Sequence, residues 1–503
     1  MVVLPDEESM NKHQYYPLIA TVLIIVSPAL FLLHAETLSL QQALTIASKN
    51  NTKIKQYEER ILQRNFDVSN ANGSFLPTVT LTAGYSHMNA PLAMDLDPLR
   101  QALLQLESAN QVKFASIASV MAGGSAITDP TSATYQSAYT TAYSRLDAAL
   151  PKFIDTLKDQ NYPSAAVTAV MPLFTGGALI AAKRAANADI HASEYELEKT
   201  RNDVLMETVN NYLAVALLNN VLVVRKNVLA AIEQHCTNAE KLAEQGVIAR
   251  YHVLRAKVAV SEAQRNLSDD SVKLELAMLA LKKSLNINDS VPLTLSDSLH
   301  FSPINESVDV FLQDAAKNQP LLHMVEEKKY MAQQKVAVQT GALLPTISAF
   351  GKYELFRSYL SALEPPWIIG VNANFTLFSG GKKFASLKSA RHFVNEVEAI
   401  EADTKRDVAL WVNKAYRTMH NAQQRYDRLQ ADKDLAEENL HLCKSRFESG
   451  YGTSLEVIDA DLVIERNEID RLTALYEYWK AAADLLTATG RTATITDKFL
   501  TKG

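Results

Sequence analysis

The carboxylates of Glu456 and Asp459 are the side chains whose spacing most directly suggests chemistry. They lie three residues apart, just after the turn Gly450-Tyr451-Gly452, and residues i and i+3 share one face of a helix. Such a pair attracts cations or arginine side chains. Thr453 followed by Glu456 is also a capping box, which gives Glu456 a complete structural explanation. Asp459 lies beyond the cap and is therefore the stronger functional candidate.

The sequence lacks the other common patterns of catalysis and ligand binding. It has no nucleophile–base set, no metal-spaced His/Cys group and no phosphate-binding loop, and its 11 histidines are scattered. The net charge of −6, from 50 basic and 56 acidic residues, provides no basic patch for nucleic acid. Cys236 and Cys443 are expected to be free buried thiols, with a disulfide as the alternative. We therefore expect no enzymatic activity, no cofactor, no metal and no nucleic-acid partner.

Residues 1–35 are predicted to be a secretory signal peptide. Lys12 and His13 precede an apolar run over Leu18–Leu33, and Ala35 supplies a small residue where cleavage would occur. A transmembrane anchor is the alternative, but about 16 residues are few for a membrane-spanning helix. Met10 is an alternative start. The chain is expected to be exported.

Long stretches without internal Gly or Pro predict long helices. Gly and Pro number 16 each in 503 residues, about 3% apiece where about 7% and 5% are usual. One such stretch, Lys382–Ser449, would extend about 100 Å as a single helix. Together the stretches predict two helical hairpins with tips at 246–250 and 450–453. Their narrow apolar seam indicates coiled-coil-like packing. The four stretches are Ala178–Gln245, Val247–Leu285, Lys382–Ser449 and Thr453–Thr489.

The chain contains two copies of one helix–strand–strand–helix unit. The segment Gly73–Thr78 recurs 268 positions later as Gly341–Thr346, and Pro172–Gly177 recurs 204 positions later as Thr376–Gly381. The different offsets indicate an insert in the first copy, at about 89–162. The predicted divisions are a first repeat over 36–286, a connector over 287–307, a second repeat over 308–490 and a short tail over 491–503. The turns that release each strand into a helix are Gly176-Gly177 and Gly380-Gly381.

Two segments in each copy alternate apolar residues with small or polar residues, as β-strands do. A half-buried soluble sheet shows the same alternation, but the apolar face carries no charge. Tyr85, Tyr353 and Trp367 could also form an interfacial aromatic girdle. We therefore favour a transmembrane β-barrel wall. Because four strands cannot close a barrel and open edges are not viable in lipid, several chains must combine their strands. The strands are expected at about 76–88, 163–175, 344–356 and 366–378.

The order of these features resembles the TolC-type outer-membrane efflux and secretion channel family, the outer membrane factors. The resemblance covers about 36–490, and its most specific motifs are the strand entries, the two Gly-Gly strand exits and the segment Gly450–Ala460. It implies a mainly α fold with a small transmembrane β part. In that fold, long hairpins form an α-barrel and each chain of a homotrimer contributes four strands to one β-barrel.

The same resemblance implies a function and partners. This chain would be the passive exit duct of a tripartite efflux pump or a type I secretion system. Its barrel would lie in outer-membrane lipid, and its helices would extend into the periplasm. There they would meet a periplasmic adaptor (membrane fusion) protein and an inner-membrane RND or ABC transporter. The alternative is a structural or adhesive coiled-coil protein of the cell envelope, which would explain the helices but not the strands.

The two hairpin tips would face the adaptor and differ in charge. In the first tip, His252 and Arg255 stand where the second tip has its two acids, and Arg250 is close by. In the family, similar acids surround the periplasmic aperture, so three copies of Glu456 and Asp459 would form a cation-selective ring. Arg250 or Arg255 is expected to pair with these acids across adjacent hairpins. The adaptor-facing residues would be Gly246, Val247, Gly450, Tyr451, Gly452 and Thr453.

The insert at about 89–162 departs from the family pattern and is expected on the extracellular side. Pro98–Met121 and Tyr135–Lys158 have weakly helical patterns, with Gly123-Gly124 and Asp129-Pro130 between them. A tolerated surface elaboration is the simpler interpretation. The alternative is a lid over the barrel mouth or a plug within it.

Overall fold

The computed structural model of the protein describes residues 36–357, 360 and 364–500. The signal peptide predicted for residues 1–35 lies outside the described residues. The first repeat begins with β1 (Glu36–Leu38), α1 (Leu40–Asn50), α2 (Thr52–Gly73) and β2 (Thr78–His87). Ser39 and Gln42 form a capping box that begins α1, and Asn51 caps α2 by accepting a hydrogen bond from the Lys53 amide. The break near Asn51 is therefore also a helix start.

The insert forms a short ribbon and two helices. Its elements are β3 (Leu92–Asp95), α3 (Asp97–Met121), α4 (Ala133–Ala149) and β4 (Ile154–Lys158). The prediction of a helix over Tyr135–Lys158 is wrong after Ala149. Pro151 lacks the amide that would continue the helix, and Ile154–Lys158 pairs antiparallel with β3. Buried Arg100 joins the two helices because its guanidinium donates hydrogen bonds to the Leu150 carbonyl and to Asp147.

The rest of the first repeat consists of one strand and two long helices, and the connector adds a short strand. They are β5 (Asn161–Phe174), α5 (Ala178–Glu244), α6 (Arg250–Leu285) and β6 (Leu293–Leu295). Strand β6 pairs in parallel with β1. The segment 287–307, which the sequence suggested was only a polar connector, therefore contributes to a two-stranded sheet.

The second repeat has the same order of helices and long strands without the insert. It consists of α7 (Val308–Asn318), α8 (Pro320–Gly341), β7 (Thr346–Glu354), β8 (Trp367–Asn374), α9 (Lys382–Glu448) and α10 (Ser454–Ala488). A 3-10 turn over Thr492–Thr494 and α11 (Ile495–Leu500) follow. Phe499 of α11 is buried against Trp479. The segment 491–503 was expected to be a simple tail, but its described part packs into the core.

The four long strands form one antiparallel sheet in the order β2-β5-β7-β8. Its register aligns the predicted apolar faces, since Leu81 lies opposite Val167, Val167 opposite Tyr353, and Tyr353 opposite Trp367. The helices follow the same order: α2 packs on α5, α5 on α8, and α8 on α9. In the described part of the chain, β2 and β8 each pair on one side only. The sheet is therefore open at both edges.

The main core lies midway along α5 and α9, where α6 and α10 end. The Tyr212 hydroxyl donates to the Leu38 carbonyl at 3.0 Å, and the Trp479 indole donates to the His300 carbonyl at 2.7 Å. These bonds hold β1 and the connector against the helices. Over one stretch α5 is long and apolar enough to cross a membrane. The same helix supplies Tyr212 to the core, and a core helix of a soluble protein can be equally long and apolar.

Candidate functional site: the strand wall and the hairpin tips

The odd-numbered face of the sheet is apolar and open to the surroundings. Ile369 is 75% exposed, Val371 66% and Leu81 64%. A soluble protein rarely leaves so many adjacent apolar side chains in water. Tyr85 and Trp367 lie on this same face, as an aromatic girdle requires. The face thus has the character of a barrel wall against lipid, which a soluble coiled-coil rod would not need.

The opposite face of the sheet is more polar and includes an ion pair. Lys352 Nζ lies 2.6 Å from a carboxylate oxygen of Glu354, whose side chain is buried. The Phe350 ring lies over Gly370, where a Cβ atom would come within 2.9 Å of ring carbons. A residue with a Cβ atom would therefore fit here only if the Phe350 ring moved aside. In a closed barrel this face would line the lumen.

The two Gly-Gly turns after the strands have similar backbones but different surroundings. Gly177 and Gly381 adopt positive φ values of 83° and 76°, which glycine tolerates. A Cβ atom on Gly176 would lie 2.3 Å from the Gly341 carbonyl oxygen, whereas one on Gly380 would meet no described atom within 4 Å. The first turn is therefore packed within the chain, and the second faces outwards.

At the acidic tip, the predicted N-cap of α10 forms, but among the described contacts no bond from the Glu456 carboxylate to the Thr453 amide completes the predicted capping box. The Thr453 hydroxyl accepts a hydrogen bond from the Glu456 amide at 3.2 Å, as an N-cap does. The Glu456 carboxylate lies 3.8 Å from a guanidinium nitrogen of Arg446, at the end of α9. Its nearest cation is thus in its own hairpin, and Arg446 was not among the predicted partners. Gly450 has a φ of 77°, which permits the tight turn.

Asp459 is exposed and lies in a groove between α6 and α10. The groove has a volume of about 530 Å³, and Arg255 lies on its opposite wall. Within the described chain, the structure assigns neither Arg255 nor Arg250 an ion pair with Glu456 or Asp459. The predicted pairing across adjacent hairpins is thus not seen between the two hairpins of the described chain, and it stays a prediction for the shut duct. The apolar part of the groove is formed by Tyr251, Leu254, Val258, Leu455, Ile458 and Leu462.

Several exposed side chains at the tips are apolar. Tyr451 is 84% exposed, Tyr251 61%, Leu254 55% and Val247 54%. The His252 ring lies 3.9 Å from the Tyr251 ring, centroid to centroid. Exposed apolar side chains gathered at one end of a protein indicate a protein-binding surface.

A buried charge cluster, which the sequence analysis missed, ties the two hairpins together. Arg225 of α5 donates to Asp270 of α6 at 2.8 Å and to Glu465 of α10 at 2.7 Å. Lys273 also bonds Asp270 at 2.7 Å, and these hydrogen bonds outweigh burial and lower the pKa of Asp270. Arg225 was the feature of the sequence that could have revealed this cluster, because a charge within an apolar helix seam needs a buried partner.

A second missed site lies where α5 meets the acidic tip. A ring nitrogen of buried His235 lies 2.7 Å from the Ser454 hydroxyl oxygen, and the ring packs on Phe447 with centroids 4.7 Å apart. Burial, with a smaller effect from the charge of Lys444, lowers the pKa of His235 to about 4. Lys444 pairs with buried Asp461 at 3.5 Å, and burial raises the pKa of that carboxyl. His235 is therefore neutral near pH 7.

Both cysteines are free, as predicted, although only Cys236 is fully buried and Cys443 is partly exposed. Among the described residues, no group of three or more His, Cys, Asp or Glu side chains could hold a metal ion. The charged groups of the tips can attract or repel ions, and those of the charge cluster join one hairpin to the other.

Comparison with known proteins identifies the family. The family model described as "Outer membrane efflux protein" matches residues 43–286 and 311–491, which is most of the chain. The chain belongs to the outer membrane efflux protein family. This membership confirms the resemblance inferred from the sequence and locates the protein in the outer membrane. Members of the family act as trimers in tripartite pumps.

Individual relatives of this efflux-family protein are distant. It is 28% identical to the outer membrane protein TolC of Vibrio cholerae over 156 residues, which are 31% of this chain and 35% of the relative. The match therefore spans about a third of that relative's length. It is 24% identical to the protein CyaE of Bordetella pertussis over 328 residues, 64% of this chain and 68% of the relative.

The fold is shared with solved outer-membrane channels. The crystal structure of the Campylobacter jejuni CmeC outer membrane channel superposes with a TM-score of 0.68 at 16% identity. The superposition covers 90% of this chain and 86% of that chain. It confirms the predicted mainly helical fold with a small β part.

Proposed function

We propose that three copies of this chain assemble into one exit duct for substrates leaving the cell. The three open sheets would join edge to edge into a twelve-stranded barrel, because β2 and β8 cannot remain unpaired in lipid. The long helices would continue the duct into the periplasm. The duct would be passive and would serve an efflux pump or a type I secretion system.

The internal repeat carries this proposal, because it predicts how the copies would fit. Within one chain, the turn at Gly176 packs against Gly341 at the end of α8. The repeat counterparts of these residues are Gly380 and Gly73, which lie 204 positions later and 268 positions earlier, respectively. A Cβ atom on either counterpart would meet no described atom within 4 Å. If a neighbouring copy packed against this chain as the first repeat packs against the second, its Gly73 would lie against Gly380.

The exposed surface of α2 supports the same arrangement. Helix α8 buries Leu322, Val325 and Ala332 between α5 and α9. Its repeat counterpart α2 packs mainly on α5 and leaves Leu62 52% and Phe66 75% exposed. The α9 helix of a neighbouring copy would cover this face.

Thiol cross-linking tests the arrangement. In the chain, the rings of Tyr195 and His323 lie 5.0 Å apart between α5 and α8. Their repeat counterparts are Ala399 and Lys55, which are both exposed. In a variant with both native cysteines replaced by alanine, Lys55→Cys combined with Ala399→Cys should yield linked dimers and trimers with a short bis-maleimide. Each single-cysteine variant is the matched control, and equal cross-linking in single and double variants would reject the arrangement.

The hairpin tips would bind the periplasmic adaptor, which links the duct to an inner-membrane RND or ABC transporter. The exposed apolar side chains at Val247, Tyr251, Leu254 and Tyr451 support this role. The groove between α6 and α10 has apolar walls, which suit the apolar side chains of a partner helix.

The acidic tip would set the ion preference of the periplasmic aperture. Asp459 is exposed near the tip, and three copies around one axis would attract cations. The double variant Asp459→Ala with Glu456→Ala should weaken cation selectivity in a planar bilayer. Asp403→Ala with Asp407→Ala removes the same charge from exposed positions far from the tips. If both double variants have the selectivity of the unmodified channel, the acidic ring is excluded.

A further inference from the structure

The insert carries an apolar surface that its own chain leaves uncovered. Helix α3 turns one narrow face towards α4, and that face is buried. It consists of Arg100, Leu104, Ser108, Val112 and Ser116. At about 100° per residue, the opposite side of the helix carries a second set of side chains. This set, here called the outer stripe, consists of Leu99, Leu103, Leu106, Asn110, Phe114, Ile117 and Met121.

The outer stripe has the spacing of a helix–helix seam. Its steps of 4, 3, 4, 4, 3 and 4 residues make an 11-residue repeat of about 3.67 residues per turn, which keeps a stripe on one side of a helix. Leu106 is 62% exposed, Phe114 69% and Met121 85%. Asn110 interrupts the stripe near its centre, as single polar residues do in seams where they set register and oligomeric state. The stripe therefore has the pattern of a contact surface for other helices.

The position of the insert at a sheet edge would bring it close to another copy of the chain in the proposed trimer. The ladder of β2 and β5 continues into the insert, with the Met88 amide bonding the Gln160 carbonyl at 2.8 Å and the Leu96 amide bonding the Phe153 carbonyl at 2.7 Å. Strand β2 is an edge of the sheet. In the proposed trimer this edge is the junction with a neighbour, so one insert would stand at each of three junctions around the barrel mouth.

The charges on α3 disfavour a lipid surface as the occupant. The helix carries two cations, Arg100 and Lys113, and Arg100 is buried against α4. Binding to anionic lipid head groups requires clusters of exposed lysine or arginine. The stripe is instead a narrow apolar seam with one amide, which suits identical helices.

We propose that the three copies of α3 pack together through the outer stripe on the threefold axis and form a cap over the barrel mouth. This inference rests on the proposed trimer. Helix α3 has 25 residues, so it is about 38 Å long. Each copy would bury its stripe against the other two, with the Asn110 amides meeting on the axis. Substrates would then leave through the gaps between the inserts.

Disulfide formation on the axis tests the cap. Leu106→Cys is introduced into the full chain with both native cysteines replaced by alanine, and the purified trimer is oxidised with copper phenanthroline. Three cysteines on one axis can form one disulfide, so about two of every three chains should run as a dimer on a denaturing gel. Ile117→Cys should behave in the same way. Gln105→Cys is the matched control, because it is exposed and points about 100° away.

The outcomes separate the cap from the trimer itself. If Leu106→Cys and Ile117→Cys form no more dimer than Gln105→Cys, while the Lys55–Ala399 cysteine pair still cross-links, the cap is wrong and the trimer stands. Photolabelling at Leu106→Cys by a lipid-phase reagent would also overturn the cap, because it would make lipid the occupant. Cross-linking at neither place would reject the trimer on which the cap depends.

Discussion

The two helical hairpins match in length and turn position but are charged differently at equivalent positions. Glu240 pairs with Lys257 at 2.9 Å in the first hairpin, and Lys444 pairs with Asp461 at 3.5 Å in the second. These are the same repeat positions with opposite signs. The first pair is exposed, whereas Asp461 is 5% exposed. The same backbone geometry thus accepts either sign, and the surroundings decide how much each pair contributes.

The hairpins also differ in what fastens them to other helices. Arg225 and Glu465 join α5 to α10 within the chain, but their repeat counterparts are Leu429 and Ser261, which cannot form an ion pair. Those counterparts belong to α9 and α6, which would meet between copies in the proposed trimer. The second hairpin is therefore held more firmly by its own chain than it would be by the neighbouring one.

The largest effect is expected from removing Arg225, the partly buried cation of this cluster. Arg225→Leu copies the residue of the second repeat and leaves the carboxylates of Asp270 and Glu465 buried without it. We expect a loss of about 3–5 kcal/mol in the free energy of unfolding, measured by denaturant titration. Arg425→Leu breaks an exposed pair with Glu477 and should cost about 1 kcal/mol or less. Equal losses would show that burial of the cluster contributes nothing.

A second effect concerns His235, whose counterpart in the other repeat is Asn439. Its pKa is about 4 in the folded chain, whereas an ordinary histidine has a pKa of 6.5. Between these two pH values, the unfolded chain therefore binds more protons at this residue than the folded chain does. Stability should therefore decrease with falling pH down to about 4, by about 2 kcal/mol between pH 7 and 5. His235→Asn should remove this loss in thermal unfolding.

The control is to compare the stability of the unmodified protein with that of the His235→Asn variant at each pH. Asp461 has a raised pKa and therefore contributes in the opposite direction, because its folded form binds a proton more readily. That contribution is present in both proteins and cancels in the difference. Parallel pH profiles would contradict the assignment to His235.

The substitution Gly73→Ala tests whether the end of α2 is free or packs against a neighbouring copy of the chain. Gly73 ends α2 and has open space around it within the described chain. In a lone chain, alanine should stabilise the helix by up to about 1 kcal/mol. In the proposed trimer it should destabilise by about 1 kcal/mol, because its Cβ atom would meet the turn at Gly380. A rise or fall in the temperature at which the trimer dissociates shows whether the substitution stabilises or destabilises the trimer. Asn70→Ala is the control on the same helix.

The smallest effect concerns the starts of the returning helices. Thr453 caps α10 with its hydroxyl, whereas Ala249 at the start of α6 makes no side-chain cap. Thr453→Ala should lose about 0.5–1 kcal/mol, and Ala249→Thr should gain a similar amount. Thermal unfolding of both variants checks the pair. A loss in both would show that the first tip does not accept a cap.

Sequence patterns predicted the long helices and the alternating strands because these depend on neighbouring residues. The stretch Lys382–Ser449 has no internal glycine or proline, and it forms a helix over Lys382–Glu448. Strand β8 alternates apolar and polar residues and pairs as one strand. The insert was less regular, and a proline after α4 together with a partner strand decided where its second helix ended.

The sequence by itself determined the repeat, the lengths of the hairpins and the apolar face of the sheet. Helix-breaking residues and the spacing of apolar residues act through the local backbone, so their effects can be predicted without knowing the fold. Only the tertiary structure decided that Glu456 faces Arg446, that Arg225 joins three helices and that the connector contributes β6. Arg225 and Glu465 are 240 positions apart. Such partners depend on which helix faces meet, and a linear pattern of charges does not encode that choice.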